Sequence, residues 1–220
     1  MTTAQLAYWR EVRAIRRRMQ EVDDPLIALI SGVNGIGKTT LSYELSRRLG
    51  IHQHVGLGTI VKTLREFGIP PEAPEMAQAM DNGFRLEEPA LQLERQAEVI
   101  ARVVNRLVGA YHAQHVHCVV EGVQLLPSHL RLPPGAVHLH LRIGDPEAYA
   151  RRMRSANPLK YGSIDDETVD YLLNIDRVLE DAMSASSNAV LPDQRPTVRE
   201  TAEDAVHSIY ARYAKGGMGL

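Results

Sequence analysis

The sequence has little cysteine, few aromatic side chains and no long apolar run. Its single cysteine, Cys118, excludes an internal disulfide and a zinc site built on cysteines. No apolar stretch approaches the roughly 20 residues of a membrane-spanning helix, and the first 18 residues lack the apolar segment of a secretory leader. Aromatic residues make up 5% of the chain, so we expect an aliphatic core. These absences predict a cytoplasmic protein that makes no membrane contact.

The chain also lacks an excess of charge of either sign. Lysine and arginine together number 25 and aspartate and glutamate 27, which gives a formal net charge of −2. This balance does not favour nucleic acid or a membrane surface as a partner. Hydrophobic residues at 44% and charged residues at 24% exclude a disordered or collagen-like chain. A length of 220 residues fits one globular domain with insertions.

Short apolar runs alternate with helical patterns along the chain. Continuous apolar runs of strand length are typical of strands that are buried on both faces of a parallel sheet. The predicted strands cover residues 26–30, 54–58, 117–122, 137–143 and 188–192. The predicted helices cover residues 5–22, 38–49, 59–67, 90–113, 146–154, 166–185 and 197–214. This alternation predicts an α/β fold whose parallel sheet is covered by helices on both faces.

The N-terminal segment, residues 1–24, is predicted to hold a helix that packs on a single domain over residues 25–215. Apolar residues from Tyr8 to Val22 step by four and three, which places them on one face of that helix. The three arginines at 16–18 cover the rest of one turn. The simplest interpretation is a half-buried helix with a solvated basic side. A homodimer contact or a patch that attracts phosphate is the alternative.

The strongest chemical signal is the segment Gly32–Thr39, GVNGIGKT, which matches the phosphate-loop (P-loop, or Walker A) motif G-x-x-x-x-G-K-[ST] at every fixed position. It follows a predicted buried strand and opens a predicted helix, as phosphate binding requires. Glycines let successive backbone N–H groups point inward, and the helix N-terminus adds a positive partial charge. The segment therefore predicts a site for the phosphates of a nucleotide.

Three side chains at the end of this motif have distinct predicted roles. Lys38 reaches the β- and γ-phosphates as a point charge, the Thr39 hydroxyl binds Mg²⁺, and Thr40 lies where it can contact the α-phosphate. The predicted nucleotide-binding residues are Gly32, Asn34, Gly35, Ile36, Gly37, Lys38, Thr39 and Thr40. A GTP-binding switch is excluded because the guanine-binding string Asn-Lys-x-Asp does not occur. The length fits small-molecule and nucleotide kinases better than large remodelling ATPases.

The sequence resembles the 2-phosphoglycerate kinases, over roughly residues 25–195. The segments that carry the resemblance are ISGVNGIGKTTLSYELSRRLGI, VKTLRE and VVEGVQLLP, the last being the most family-specific. The resemblance implies a P-loop NTPase three-layer sandwich with a nucleoside-monophosphate-kinase-like core and a five-stranded parallel sheet of order 2-3-1-4-5. It implies an ATP- and Mg²⁺-dependent kinase whose acceptor is a small, anionic, hydroxylated molecule like 2-phosphoglycerate.

Further site residues are predicted at the edges of this core. Glu121 ends an apolar strand at the carboxyl edge of the sheet, where open α/β sheets bind ligands, so it can organise the metal or accept a proton. The resemblance implies that Arg151 and Arg154 stabilise the transferred phosphoryl group from a lid at about residues 150–165. It also implies an acceptor-binding insert at about residues 68–90. The predicted acceptor-binding residues are Lys62, Arg65, Arg85 and Gln124.

One departure from the family pattern concerns the catalytic base. Relatives carry Thr-Asp at the end of the second strand, whereas this chain has Leu57-Gly58-Thr59. The base then has to come from elsewhere, with Asp81 a candidate, or the acceptor is already ionised. A nucleoside monophosphate kinase is therefore the alternative function, and a nucleotide-binding regulatory ATPase is the weakest of the three.

The remaining reactive residue types are predicted to be structural. His115 and His117, and likewise His138 and His140, alternate onto one strand face and have no cysteine or acidic partner at a standard zinc spacing. We expect polar strand positions there rather than a metal site. Cys118 is expected to be a buried, small apolar residue.

Overall fold

The computed structural model of the chain describes residues 3–21, 23–67, 89–155, 164–186, 189–190 and 197–215. The predicted acceptor insert lies almost wholly outside these residues, as does the predicted lid beyond residue 155. Arg85 and Asp81 therefore lie outside the described residues as well.

The sheet is parallel throughout. Its strands are β1 (Ile27–Ser31), β2 (Gln53–Gly56), β3 (Cys118–Glu121), β4 (Val137–His140) and β5 (Ala189–Val190), and they are ordered β2-β3-β1-β4-β5. Every adjacent pair runs in the same direction. The predicted α/β fold with a parallel sheet is confirmed.

The helices lie between these strands in the alternating order that the sequence predicts. They are α1 (Thr3–Glu21), α2 (Lys38–Leu49), α3 (Leu57–Phe67), α4 (Pro89–Ala113), α5 (Pro146–Arg154), α6 (Asp166–Ser184) and α7 (Val198–Ile209). A π-helical segment, Tyr210–Lys215, continues from α7. Among the described residues, no helix is both long and apolar enough to cross a bilayer.

Two strand predictions extend too far. The predicted strand over residues 54–58 stops at Gly56, because α3 begins at Leu57 and turns that side chain into the core, where it is fully buried. The predicted strand over residues 137–143 stops at His140. Three residues further on, the backbone N–H of Ile143 donates to the carboxylate of Asp176 on α6 at 2.9 Å rather than to a neighbouring strand.

The core forms on both faces of the sheet because strand side chains alternate between them. Ala28 and Ile30 of β1 pack in one cluster with α2, α6 and α7, whereas Ile27 and Leu29 pack in a second cluster with α3 and α4. All five residues of β1 are buried, as expected for a central parallel strand. Cys118 belongs to the second cluster, and burial raises the pKa of its thiol to about 12. The expectation that Cys118 is a buried apolar residue is confirmed.

The first helix closes one side of this core. Tyr8, Val12 and Ile15 are buried, and α1 packs against α2, α7 and the π-helical segment. Two polar contacts join it to the last turn of α2: Arg16 Nε donates to the Arg48 carbonyl at 2.9 Å, and the Arg48 guanidinium donates to the Tyr8 hydroxyl. The Arg48 guanidinium also lies 5.1 Å from the centre of the Tyr8 ring. The far end of α2 from the P-loop is therefore held by α1.

Gly122 allows the start of α3 to pack closely against the end of β3. A Cβ atom at Gly122 would lie 2.7 Å from Leu57 Cβ and 2.8 Å from Leu57 Cγ, and neither atom can move without shifting α3. Gly122→Ala should therefore destabilise the protein by about 1–3 kcal/mol, measured by urea unfolding. Gly109→Ala is the matched control: it adds the same methyl group in open space within α4 and should stabilise the fold by about 0.5–1 kcal/mol. Equal effects of the two substitutions would contradict the packing argument.

Candidate active site

The P-loop connects β1 to α2 with the curled backbone that the motif predicts. Gly35 and Gly37 have φ values of +73° and +111°, a region that side chains with a Cβ atom rarely adopt. A Cβ atom at Gly35 would also lie 2.1 Å from the sulfur of Met153 on α5. Glycine is therefore required at position 35 because the backbone conformation disfavours a Cβ atom and because Met153 of α5 occupies the space that a Cβ atom would need.

Lys38 lies within the curl of this loop. Its side chain is only 8% exposed, and its ammonium group donates to the carbonyl oxygen of Val33 at 2.9 Å. The Ile36 N–H approaches the same carbonyl at 3.4 Å. The positive charge of Lys38 is therefore held at the loop by the loop's own backbone, in the place where the motif predicts phosphate binding.

Thr39 and Glu121 meet at the carboxyl edge of the sheet. The Thr39 hydroxyl donates to Glu121 Oε1 at 2.9 Å, although the two residues are 82 positions apart. Glu121 is buried at the end of β3, beside Ile30 of β1 and Gly56 of β2. A carboxylate and a hydroxyl oxygen at one point are the hard ligands that Mg²⁺ prefers, so these residues fit the predicted metal. Sequence reasoning placed each residue at this edge separately, and the structure brings them into contact.

His54 adds a titratable group near this edge that the sequence reasoning missed. It lies on β2 two positions before Gly56, and its ring packs against the ring of Tyr43 on α2 at 4.8 Å between centroids. Burial lowers the pKa of His54, and the nearby negative charge of Glu121 opposes that shift. His54 and Gly56 are two residues apart on β2 and therefore lie on the same face of the sheet, which is the sequence signal that could have identified His54.

Helix α5 lies against the P-loop through one face. The Tyr149 hydroxyl donates to the Asn34 carbonyl at 2.6 Å, and Met153 contacts Gly35 one turn further along. The loop thus has a neighbour that the motif alone does not predict. The signal for it was the spacing of four between Tyr149 and Met153, which places both on one helical face.

The two predicted lid arginines lie away from this face. Arg151 and Arg154 are exposed; Arg151 is 3.7 Å from Glu147, and Arg154 pairs with Asp166 at the start of α6. The structure therefore does not bring either guanidinium to the P-loop. Arg152 is closer to the loop-facing side, since its guanidinium lies 5.5 Å from the centre of the Tyr149 ring.

The predicted acceptor residues are only partly described. Lys62 is exposed on α3, the side chain of Arg65 on the same helix lies outside the described part, and so does all of Arg85. Gln124, just beyond β3, donates from its amide to Gln96 Oε1 at 3.1 Å. The described acceptor candidates thus lie on α3 and on the segment that follows Glu121.

A second hydrogen bond, between Gln92 and Tyr171, lies one helical turn from Gln96, and the sequence reasoning singled out neither residue. Gln92 precedes Gln96 by one turn of α4 and accepts from the Tyr171 hydroxyl of α6 at 2.7 Å. Gln92 and Gln96 are four residues apart, which places both on one face of α4, and this spacing was the available signal. Amide and phenol groups are suited to hydrogen bonds with hydroxyl groups.

A buried polar network lies directly beneath the P-loop. Ser31, the last residue of β1, has its hydroxyl 3.1 Å from His138 Nε2 and 3.2 Å from His140 Nδ1, and both histidines on β4 are buried. His140 Nε2 is 3.7 Å from Asp176 Oδ1, and within the described residues neither atom has a hydrogen-bond partner. The network joins the strand that leads into the loop to helix α6.

The ionisation of this network is set by burial. Burial lowers the pKa of His138 to about 3, and burial together with the charge of Lys38 lowers that of His140 to about 4. Burial raises the pKa of the Asp176 carboxyl to about 6. His117 is also structural, since its ring accepts from the Leu26 N–H and contacts the Met19 carbonyl. No cluster able to hold a metal ion through three His, Cys, Asp or Glu side chains occurs among the residues described.

Comparison with known proteins finds several relatives of this chain. The chain is 25% identical over 177 residues to a 2-phosphoglycerate kinase of Pyrococcus horikoshii, covering 74% of this chain and 56% of the relative. It is 23% identical over 217 residues to a 2-phosphoglycerate kinase of Methanopyrus kandleri, covering 91% and 65% of the two chains. The chain is similar to the 2-phosphoglycerate kinases. The resemblance predicted from the sequence is confirmed, although the chain spans less than two thirds of the length of these relatives.

The fold has a counterpart among solved structures. A gluconokinase from Sinorhizobium meliloti 1021 superposes with a TM-score of 0.54 at 20% identity, covering 88% of this chain and 96% of the other. This likeness shows that the two chains share a fold. No protein-family model matches the chain.

Proposed function

We propose that the protein is a Mg²⁺·ATP-dependent kinase that phosphorylates a small, anionic, hydroxylated acceptor. The observation that carries this proposal is the hydrogen bond between Thr39 and Glu121 beside the P-loop, because a hydroxyl and a carboxylate that lie together next to Lys38 have the chemistry to hold Mg²⁺. The similarity to 2-phosphoglycerate kinases supports the same chemistry and suggests an acceptor like 2-phosphoglycerate.

Each predicted residue has a role in this reaction. The P-loop amides and Lys38 bind the β- and γ-phosphates, with Thr40 on the exposed side toward the α-phosphate. Thr39 and Glu121 are the residues that would hold Mg²⁺, which neutralises charge between the β- and γ-phosphates when it is bound. Lys62, Arg65 and Arg85 supply cationic groups for an anionic acceptor, and Gln124 binds its hydroxyl groups.

The transfer itself is an in-line displacement. The acceptor hydroxyl oxygen forms a bond to the γ-phosphorus as the bond to the β–γ bridging oxygen breaks, and ADP leaves with that electron pair. The acceptor proton passes to a carboxylate base, for which the candidates are Asp81 and, in place of its role at the metal, Glu121. We assign stabilisation of the negative charge on the transferred phosphoryl group to the guanidinium groups of Arg151 and Arg154, which would have to leave Glu147 and Asp166 to reach it.

A nucleoside monophosphate kinase is the second candidate. The observation in its favour is the stretch Leu57-Gly58-Thr59 after the second strand, which holds no carboxylate that could accept a proton. A nucleotide acceptor reacts through a phosphate oxygen that is already ionised and needs no base.

An acceptor panel tests the proposal and separates the candidates. ADP release from Mg²⁺·ATP would be followed with 2-phosphoglycerate, 3-phosphoglycerate, glycerate, gluconate and the nucleoside monophosphates, and without any acceptor. We expect one hydroxylated anion to raise the rate well above that of the acceptor-free reaction, and Glu121→Gln to lower the raised rate by about 100-fold or more. A response to nucleoside monophosphates alone would favour the second candidate. If no small molecule raises the rate, the kinase assignment is wrong.

A further inference from the structure

Four arginines of α1 line a groove that adjoins the contact between this helix and the π-helical segment. They are Arg10, Arg13, Arg17 and Arg18, and the groove, of about 460 Å³, is completed by Ala14, Glu21 and Ala214 of the π-helical segment. Spacings of three, seven and eight residues keep the four side chains on one helical face. We call this feature the α1 arginine groove.

The positive charge of this groove is largely uncompensated. Across the described residues, no ion pair joins Arg10, Arg13 or Arg17 to a carboxylate, and Glu21 is the single acid that lines the groove. Arg18 is held differently, since its guanidinium lies 5.3 Å from the centre of the Tyr213 ring. In a chain with a net charge of −2, three unpaired guanidinium groups on one face are a local concentration of positive charge.

The arrangement has the chemistry of a phosphate-binding site. The planar guanidinium presents a fork of donors that matches phosphate oxygens, and neighbouring arginines on a helix can bind adjacent phosphate groups. The Tyr213 ring holds Arg18 against the wall of the groove, which reduces the entropy that this side chain loses on binding. A phosphate ligand would supply the negative charge that the protein itself does not place there.

The dimensions favour a small ligand over a macromolecule. Arg10 and Arg17 are seven residues apart, or about 10 Å along the helix axis. Specific nucleic-acid interfaces bury on the order of 1,000 Å² or more of protein surface, far beyond two turns of one helix. A symmetric homodimer through this face would set the arginines of one copy against those of the other, since a two-fold interface pairs each patch with itself. The charge therefore opposes the predicted dimer contact on this face of α1.

We propose that the α1 arginine groove is a second anion site, separate from the P-loop, that binds a small ligand carrying two or more phosphate groups. This inference does not depend on the reaction proposed above. It assigns a function to the arginine-rich side of the N-terminal helix, which the kinase chemistry does not use.

Titration with inorganic tripolyphosphate tests the site. The P-loop would also bind this probe, so the measurement uses a Lys38→Met background, checked for folding by circular dichroism, at low ionic strength where exposed charges are least screened. We expect one saturable site by calorimetry. Arg13→Gln/Arg17→Gln in this background should weaken binding by about 10- to 100-fold, and Arg13→Lys/Arg17→Lys should weaken it less, because charge is kept while the donor fork is lost.

A matched control separates the groove from general positive charge. Arg95 and Arg106 are exposed on α4, and Arg95→Gln/Arg106→Gln removes the same charge from another helix. This pair should leave tripolyphosphate binding unchanged. Absence of saturable binding, or an equal loss in the control pair, would overturn the proposal. Tighter binding of a single-stranded oligonucleotide at the same arginines would overturn it in favour of a nucleic-acid surface.

Discussion

Lys38→Met should lower the acceptor-dependent turnover of ATP by about 100- to 1,000-fold while the protein stays folded. The reason is that the ammonium group is the positive charge that the P-loop holds closest to its backbone, and loss of a donor that faces the developing negative charge has this magnitude in other enzymes. Methionine has an unbranched side chain one atom shorter than that of lysine, so the substitution removes the charge and the donor to the Val33 carbonyl with little change of shape. The comparison is made on kcat with the acceptor that the panel identifies, together with an unfolding curve for each protein.

Two further measurements make the Lys38 result specific. Lys215→Met removes an exposed lysine at the end of the π-helical segment and should leave turnover unchanged. The folded state of Lys38→Met should lose on the order of 1 kcal/mol, because the Val33 carbonyl loses one donor. Turnover of Lys38→Met within tenfold of the native rate would mean that the P-loop does not carry the reaction.

The buried histidines beneath the P-loop should make the fold sensitive to acid. Their folded pKa values, about 3 for His138 and about 4 for His140, lie below the value of 6.5 in an unfolded chain. As pH falls below 6.5 the unfolded chain takes up protons that the folded chain refuses, so each histidine lowers the free energy of unfolding by about 1.4 kcal/mol per pH unit. Asp176 acts in the opposite direction between pH 6 and 3.8, because its raised pKa lets the folded chain take up the proton first. The net expectation between pH 6 and 4 is a loss of about 1.4 kcal/mol per unit from these three groups.

His138→Leu isolates one of these contributions. The variant removes one histidine and keeps His140 beside the Ser31 hydroxyl, so the slope of unfolding free energy against pH should decrease by about 1.4 kcal/mol per unit. Urea unfolding at several pH values between 4 and 6 measures this difference, and the contributions of other groups cancel between the two proteins. His52→Leu, at an exposed position, is the matched control and should keep the native slope. Identical slopes for native protein and His138→Leu would contradict the burial argument.

The sequence predicted those parts of the site that depend on neighbouring residues in the chain. The P-loop is eight consecutive residues whose glycine positions determine the backbone, and Asp145 and Pro146 mark the start of α5, where the Asp145 side chain accepts from the Ala148 N–H at 3.0 Å. The alternation of apolar runs with helical patterns was enough to predict the α/β class, because a strand that is buried on both faces consists of consecutive apolar residues.

Features that depend on how helices pack were not predictable in the same way. The loop-facing side of α5 is set by Tyr149 and Met153, so the predicted arginines at 151 and 154 lie on its exposed side. The alternation of His138 and His140 was visible in the sequence, but their complete burial follows from the position of α6, which brings Asp176 over that end of β4. Only the folded chain shows that two polar strand positions face the hydroxyl of Ser31.

The hydrogen bonds from α1 to the last turn of α2 also affect the position of the P-loop at the other end of α2. Helix α2 has 12 residues and is therefore about 18 Å long, with Lys38 in its first turn and Arg48 in its last. The hydrogen bonds of a helix run along its axis, so a helix behaves as a stiff rod, and the contacts of Tyr8 and Arg16 with Arg48 restrain the position of the whole of α2. The P-loop precedes the opposite end of α2, so the N-terminal helix supports the P-loop through α2 as well as covering the core.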